Sequence, residues 1–219
     1  MSRLPDNLAD CWSWLIERAI RKSRYRRADF FVGKMADVLP PAGSSLLDLG
    51  CGTLHLGARL AERGLKVTAL DARPHLGYVN LWLIGVPCAR RVAARHGIDY
   101  RHYDGQRLPF PDQSFDVVLL AFVLHHAANW PTVLDEAVRV SKRGVILLED
   151  TPETPAERLR NSVSDALMNL QLVGGGEKKT VRGWLGEFRR RGLAVMRHVS
   201  WIYSHGPLRF CDTMFFVEK

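Results

Sequence analysis

The chain has 219 residues, enough for one α/β domain with a full core, since 47% of them are hydrophobic. Charged residues make up 25% and the formal net charge is +8, which allows nucleic acid, an anionic surface or an acidic substrate as partner and equally allows plain solubility. Cys11, Cys51, Cys88 and Cys211 lie far apart without ligand spacing, which argues against a disulfide framework or a zinc site, and the expected metal content is none.

In chain order, Asp6, Asp10 and Glu17 interrupt the first twenty residues, so no signal-peptide core is expected there. No stretch reaches the roughly 18 uncharged apolar residues of a membrane span, and a cytoplasmic protein is expected. Leu4, Leu8, Cys11, Trp12, Leu15, Ile16, Ala19 and Ile20 recur at helical spacing. This first helix should run into the basic patch 21–27, with a second helix over Ala28 to Val38 and a break at Pro40-Pro41.

Short apolar runs then alternate with helical stretches. Strands are expected at Ser45–Leu49, Lys66–Leu70, Ile98–Tyr103, Phe115–Ala121 and Gly144–Leu148, with helices at Leu54–Arg63 and Pro131–Val140 between them. That alternation predicts a parallel sheet covered on both faces. The connection from Ala72 to Gly97 is long, and Pro74 and Pro87 should split it into two pieces, the second a basic helix from Cys88 to His96. Helices are expected at Pro155–Leu172 and Val181–Arg191, then an antiparallel pair, Ala194–Tyr203 with Arg209–Val217. The organisation expected is one domain, 1–219: a helical lid (1–39), a cofactor-binding core (44–150) and closing helices with a hairpin (151–219).

The chemistry centres on Leu46-Leu47-Asp48-Leu49-Gly50-Cys51-Gly52-Thr53. An apolar strand enters a glycine turn and a helix follows, a place where backbone can approach a ligand and free N–H groups face it. Asp71, 19 residues after Gly52, ends the next strand, where an acid can accept hydrogen bonds from both ribose hydroxyls of a nucleoside. A dinucleotide would require glycines spaced for a pyrophosphate, and Asp48 would repel it. S-Adenosylmethionine carries an ammonium and a sulfonium and no phosphate, so Asp48 and Asp71 together favour it.

Asp48-Leu49-Gly50-Cys51-Gly52-Thr53 resembles motif I of the class I S-adenosylmethionine-dependent methyltransferases, and Asp71 resembles that family's ribose-binding acid. The segments 103–112 and 114–118 resemble its third and fourth motifs, especially in the small-molecule branch that includes ubiquinone/menaquinone methyltransferases. The resemblance covers Leu46 to Glu149, about half the chain. It implies a Rossmann-like fold of seven strands, six parallel and the last antiparallel, with helices on both faces. It also implies that Asp104 takes the adenine amino group, that Gly105 and Gln106 lie beside the ring, and that Ala121 and Phe122 lie along the methionine part. Ala72 joins the cofactor-contacting set with Asp71. The family often has a third glycine where Leu54 stands.

Methyl transfer from a sulfonium needs alignment and exclusion of water, and a base only if the acceptor must lose a proton. His125 and His126 follow the fourth strand, so either could be that base, or both could hold the loop. Glu149 and Asp150 end the fifth strand and could bind the acceptor or cap the helix near Pro155. Trp201, Tyr203 and His205 could wall the acceptor pocket or sit in the core. Cys51 fits the turn as a small apolar side chain.

The leading reading is a methyltransferase for a small molecule such as a natural product, quinone or lipid-like acceptor. Peripheral membrane contact through 21–27 stays open, as does the choice of monomer or homodimer. An RNA or protein methyltransferase is favoured only by the charge. The site after the fourth strand reads Leu120-Ala121-Phe122-Val123, without the Asn/Asp-Pro-Pro-aromatic motif of base-modifying enzymes. A non-catalytic cofactor-binding protein is the third reading.

Overall fold

The computed structural model describes residues 8–72, 85–169, 177–205 and 208–219. A seven-stranded sheet runs through them: β1 (Ser45–Leu49), β2 (Lys66–Ala72), β3 (Asp99–Tyr103), β4 (Phe115–Ala121), β5 (Ser141–Asp150), β6 (Ala194–His205) and β7 (Leu208–Glu218). Its order is β3-β2-β1-β4-β5-β7-β6. The first five strands pair in parallel, while β7 runs against both β5 and β6. This is the six-plus-one arrangement expected. Leu46, Leu47, Leu49, Leu119 and Leu120 are essentially without exposure because both faces are covered, each contributing about 2 kcal/mol of apolar burial.

Helices α1 (Leu8–Lys34), α2 (His55–Glu62) and α3 (Val86–His96) pack together, over the apolar cluster containing Leu46, Val117, Ile146 and Met214. On the opposite face, the cluster containing Leu47, Val118 and Leu147 takes in residues of α4 (Trp130–Val140) and α6 (Val181–Arg190). Helix α5 (Pro155–Asn169) follows β5 and packs against β7. Thr154 and Glu157 cap its start reciprocally: Glu157 Oε2 accepts from the Glu153 and Thr154 amides and Thr154 Oγ1 accepts from the Glu157 amide. The strand order reverses between β1 and β4, so the carboxyl ends of these strands open onto a crevice.

The N-terminal region differs from expectation. Two helices flanking a basic patch were predicted, and one 27-residue helix stands there instead. Nothing between Leu8 and Val32 is Pro or Gly, and Arg and Lys are good helix formers, so positive charge alone does not end it. Its carboxyl half docks through Ala28, Phe31, Val32 and Met35, all buried. Arg21, Lys22 and Arg26 face solvent, while Arg24 and Arg27 are half-buried.

Residues 73–84 of the long connection, Pro74 included, lie outside the described residues. So do the end of the helix expected to reach Leu172 and the side chain of His205. The second piece of the long connection is α3, with Pro87 in its first turn where no amide partner is lost.

Candidate functional site

The turn after β1 is set by backbone conformation. Gly50 and Gly52 have φ of +77° and +53°. The Gly50 and Cys51 amides both donate to Leu70 O, at 2.7 and 3.2 Å, which hooks the turn onto β2. A methyl group at Gly50 would meet Val123 Cγ2 at 2.5 Å, whereas one at Gly52 would meet nothing within 4 Å. The surface beside Gly52 is therefore open to a ligand. Leu54, at the position of the third glycine and just before α2, also has positive φ (61°), yet its side chain is fully buried.

Two carboxylates flank this turn. Asp71 Oδ2 accepts from the Gly52 amide at 2.9 Å and Oδ1 from the Ala72 amide at 2.9 Å. Burial pushes the Asp71 carboxyl up to about 6, against the pull of those two amides. Asp48 lies under the turn, 2% exposed, and a methyl on Gly57 of α2 would stand 2.7 Å from its Oδ2. That oxygen has no hydrogen-bond partner among the described residues. Burial and then the charge of Asp71 push Asp48 up to about 7. Burial, then Asp71 and Asp48, also drive the Cys51 thiol far up, so it is no nucleophile.

One strand over, Asp104 Oδ1 accepts from the Gln106 and Arg107 amides at 2.8 and 3.1 Å, and Gly105 takes φ +78°. Asn129 Nδ2 donates to Gly105 O at 2.9 Å, which ties this bend to the start of α4. At the end of β4, Phe122 has φ 60° and its amide donates to Leu148 O at 2.8 Å. Its ring lies 5.1 Å from the Phe31 ring and under the Arg27 guanidinium.

His125 and Glu149 are brought together, as separate sequence motifs could not reveal. Glu149 is fully buried; its Oε1 accepts from the Val123 and Leu124 amides at 3.1 and 2.8 Å, and its Oε2 pairs with His125 Nδ1. Burial of His125 opposes its charge, but the Glu149 carboxylate outweighs this and the imidazole pKa rises. The pair pins the loop after β4. The His126 ring lies 4.1 Å from that of His125, tilted by 46°. Capping of α5 falls to Thr154 and Glu157 rather than to Glu149 or Asp150.

Sequence reasoning singled out Asp150 but missed its buried partners, Lys178 and Asp212. Asp150 pairs with Lys178 Nζ at 2.7 Å and sits opposite Asp212 in the β5–β7 ladder. Burial, then the charge of Asp150, pushes Asp212 up to about 9. The one available signal was a lone acid inside the apolar run 210–217.

A sheet of this order, with a glycine turn after β1 and an acid ending β2, is the class I methyltransferase scaffold. Residues 47–148 match the family described as methyltransferase domain. A demethylmenaquinone methyltransferase of Clavibacter sepedonicus is 36% identical over 182 residues, covering 74% of this chain and 70% of that one. A ubiquinone biosynthesis O-methyltransferase of Cereibacter sphaeroides is 33% identical over 185 residues, covering 76% and 69%. In several other curated relatives the match spans only 38% to 50% of their length. Among solved structures, an S-adenosylmethionine-dependent methyltransferase from Mesorhizobium loti superposes with a TM-score of 0.62 at 17% identity, over 85% of this chain and 96% of that one. The chain belongs to the class I S-adenosylmethionine-dependent methyltransferases.

Proposed function

We propose that this enzyme binds S-adenosylmethionine at the carboxyl ends of β1 to β4 and methylates a small molecule held towards β5, β6 and β7. The observation that carries the reading is the pairing of an open glycine turn with Asp71. Asp71 now bonds the Gly52 and Ala72 amides, and it stands where two ribose hydroxyls would find acceptors. The orphan Oδ2 of Asp48 and the empty space at Gly52 fit a cationic nucleoside without phosphate. Bound there, the cofactor supplies a methyl group already activated by the sulfonium.

In this reading Asp48, Gly50, Cys51 and Gly52 shape the donor's seat, and Asp71 with Ala72 holds the ribose. Asp104, Gly105 and Gln106 border the adenine, and Ala121 and Phe122 follow the methionine chain. His125 and Glu149 act as positioning residues, because both side chains are committed to each other and to the loop. His126 remains the candidate base. The relatives' names, demethylmenaquinone and ubiquinone biosynthesis, support a small-molecule acceptor. No described helix is long and apolar enough to cross a membrane, and the four cysteines carry no disulfide, which fits our assignment to the cytoplasm.

The test is calorimetric titration with S-adenosylhomocysteine. Asp71→Ala removes two charge-assisted acceptors and should weaken binding about a hundredfold or more. No heat with this ligand, together with uptake of NAD, would overturn the cofactor assignment. Incubation of the enzyme with methyl-labelled cofactor and cell extract should place label in small molecules; label confined to RNA or protein would overturn the acceptor assignment.

A further inference from the structure

The region above β6 and β7 holds three polar groups with bonding capacity to spare. Arg27 of α1 lies over the rings of Phe122, Phe31 and Tyr203, at 4.9, 5.2 and 5.7 Å, and it makes no hydrogen bond or ion pair among the described residues. Trp201 sits opposite Asp212 in the β6–β7 ladder, so the two side chains share a face of the sheet. The buried Nε1 of Trp201 and the buried Oδ1 of Asp212 both lack hydrogen-bond partners among the described residues, although the Asp212 carboxyl also meets that of Asp150. Phe31 ties the group together, since its ring is 6.2 Å from Trp201, 5.6 Å from Tyr203 and 5.1 Å from Phe122.

We propose that Arg27, Trp201 and Asp212 form the acceptor's recognition site, and that they bind an ionisable hydroxyl, a phenol or enol, carried on a planar apolar ring. The inference rests on the methyltransferase reading above and gives its acceptor a chemical class. Folded proteins rarely leave a buried indole N–H and a buried carboxyl oxygen unsatisfied side by side, here with a half-buried guanidinium close by, without a ligand to complete them. A hydroxyl meets all three needs. Its O–H donates to Asp212 Oδ1, and its oxygen accepts from Arg27 and Trp201 Nε1.

The surrounding rings explain the rest. Phe122 and Tyr203 offer flat apolar walls that suit an aromatic ring and do not suit a flexible polar chain. Burial and the neighbouring Asp150 push the Asp212 carboxyl up, against the pull of Arg27, so it is a weaker counter-charge than an exposed aspartate. The Arg27 guanidinium charge is thereby left to favour an electron-rich hydroxyl oxygen as its hydrogen-bond acceptor. The same guanidinium could instead hold a carboxylate, and the donor's methionine tail has one, so the test separates the two sources.

The probe is 2-naphthol, titrated calorimetrically into protein with and without saturating S-adenosylhomocysteine, beside 2-methoxynaphthalene, which lacks the donatable hydrogen. The phenol is expected to bind about tenfold or more tightly than the ether. Arg27→Met should reduce phenol binding to the level of the ether, and Trp201→Phe and Asp212→Asn should each weaken it several-fold. All three variants should bind S-adenosylhomocysteine as the parent does, which also shows that they fold. Equal affinity for phenol and ether, or an Arg27→Met variant that binds phenol normally, overturns the proposal. So does an Arg27→Met variant that weakens S-adenosylhomocysteine but not 5′-methylthioadenosine, because Arg27 then serves the cofactor's carboxylate. Failure of S-adenosylhomocysteine to bind the parent strikes the proposed function, whereas failure of the phenol on the loaded protein strikes this site alone.

Discussion

Replacing Gly50 by Ala loads two separable costs onto the cofactor turn. The residue sits at φ +77°, where any side chain costs about 1–2 kcal/mol. The new methyl would also stand 2.5 Å from Val123 Cγ2 and 2.9 Å from its Cγ1. Valine is stiff at χ1, and the Val123 amide is tied to Glu149 Oε1 at 3.1 Å, so retreat is restricted and overpacking adds about 1–3 kcal/mol. The total is roughly 2–5 kcal/mol, or about 4–20 °C in melting temperature for a chain of this size. A double-mutant cycle divides the two costs. Val123→Ala alone removes two methyls from a half-buried site and should cost about 1 kcal/mol. In the Gly50→Ala background it should recover the overpacking part, giving a favourable coupling of about 1–3 kcal/mol by urea denaturation. Additivity within about 0.5 kcal/mol would show that Val123 does not press on the turn, and the steric account would fail.

The buried pair of His125 and Glu149 gives a pH-dependent prediction. The folded pKa of His125 lies above its unfolded value, so the pair's contribution is complete below about pH 6.5 and is lost as pH rises through the folded value. Glu149→Gln keeps an oxygen for the Val123 and Leu124 amides but loses the charge, and should cost about 3 kcal/mol at pH 6 and clearly less at pH 9. Asp48 and Asp71 also lose stability as pH rises, so the difference between parent and variant in denaturation midpoint is the quantity to compare. A pH-independent difference refutes the ion pair. Leu54→Gly relieves about 1–2 kcal/mol of backbone cost but forfeits a fully buried side chain worth about 3 kcal/mol or more, so the melting temperature should fall; a rise would mean the burial counts for less than the backbone.

Legibility in the sequence followed the range over which each feature is encoded. Strands β1 and β4 matched to the residue because short, mostly apolar runs bounded by polar turns specify them locally. Strand β5 was expected at 144–148 and extends over 141–150, since its polar ends find partners elsewhere: Glu149 in two amides and His125, Asp150 in Lys178. The glycine turn and Asp71 could be read because they lie on consecutive elements. The alliance of Glu149 with His125, and the facing of Asp212 by Asp150 and Trp201, depend on strand register, which one-dimensional spacing does not carry. The unbroken α1 was missed because a run of like charge was taken as a boundary, whereas a long helix can turn some of those charges to water and tuck others against rings.

The reversed direction of β7 has a consequence for how such an enzyme could change what it methylates. In a wholly parallel sheet the last two strands would have to be joined by a crossover, and the rim of the mouth would be built from scattered loops. Here β6 and β7 are direct antiparallel neighbours, so in the proposed acceptor site the rim beside β5 is built by two strands consecutive in the chain. The donor's seat is assembled far earlier along the polypeptide, on strands that do not touch this hairpin. On the proposed function, exchanging a few side chains along these two strands would retailor the clientele while the methyl supply stayed untouched.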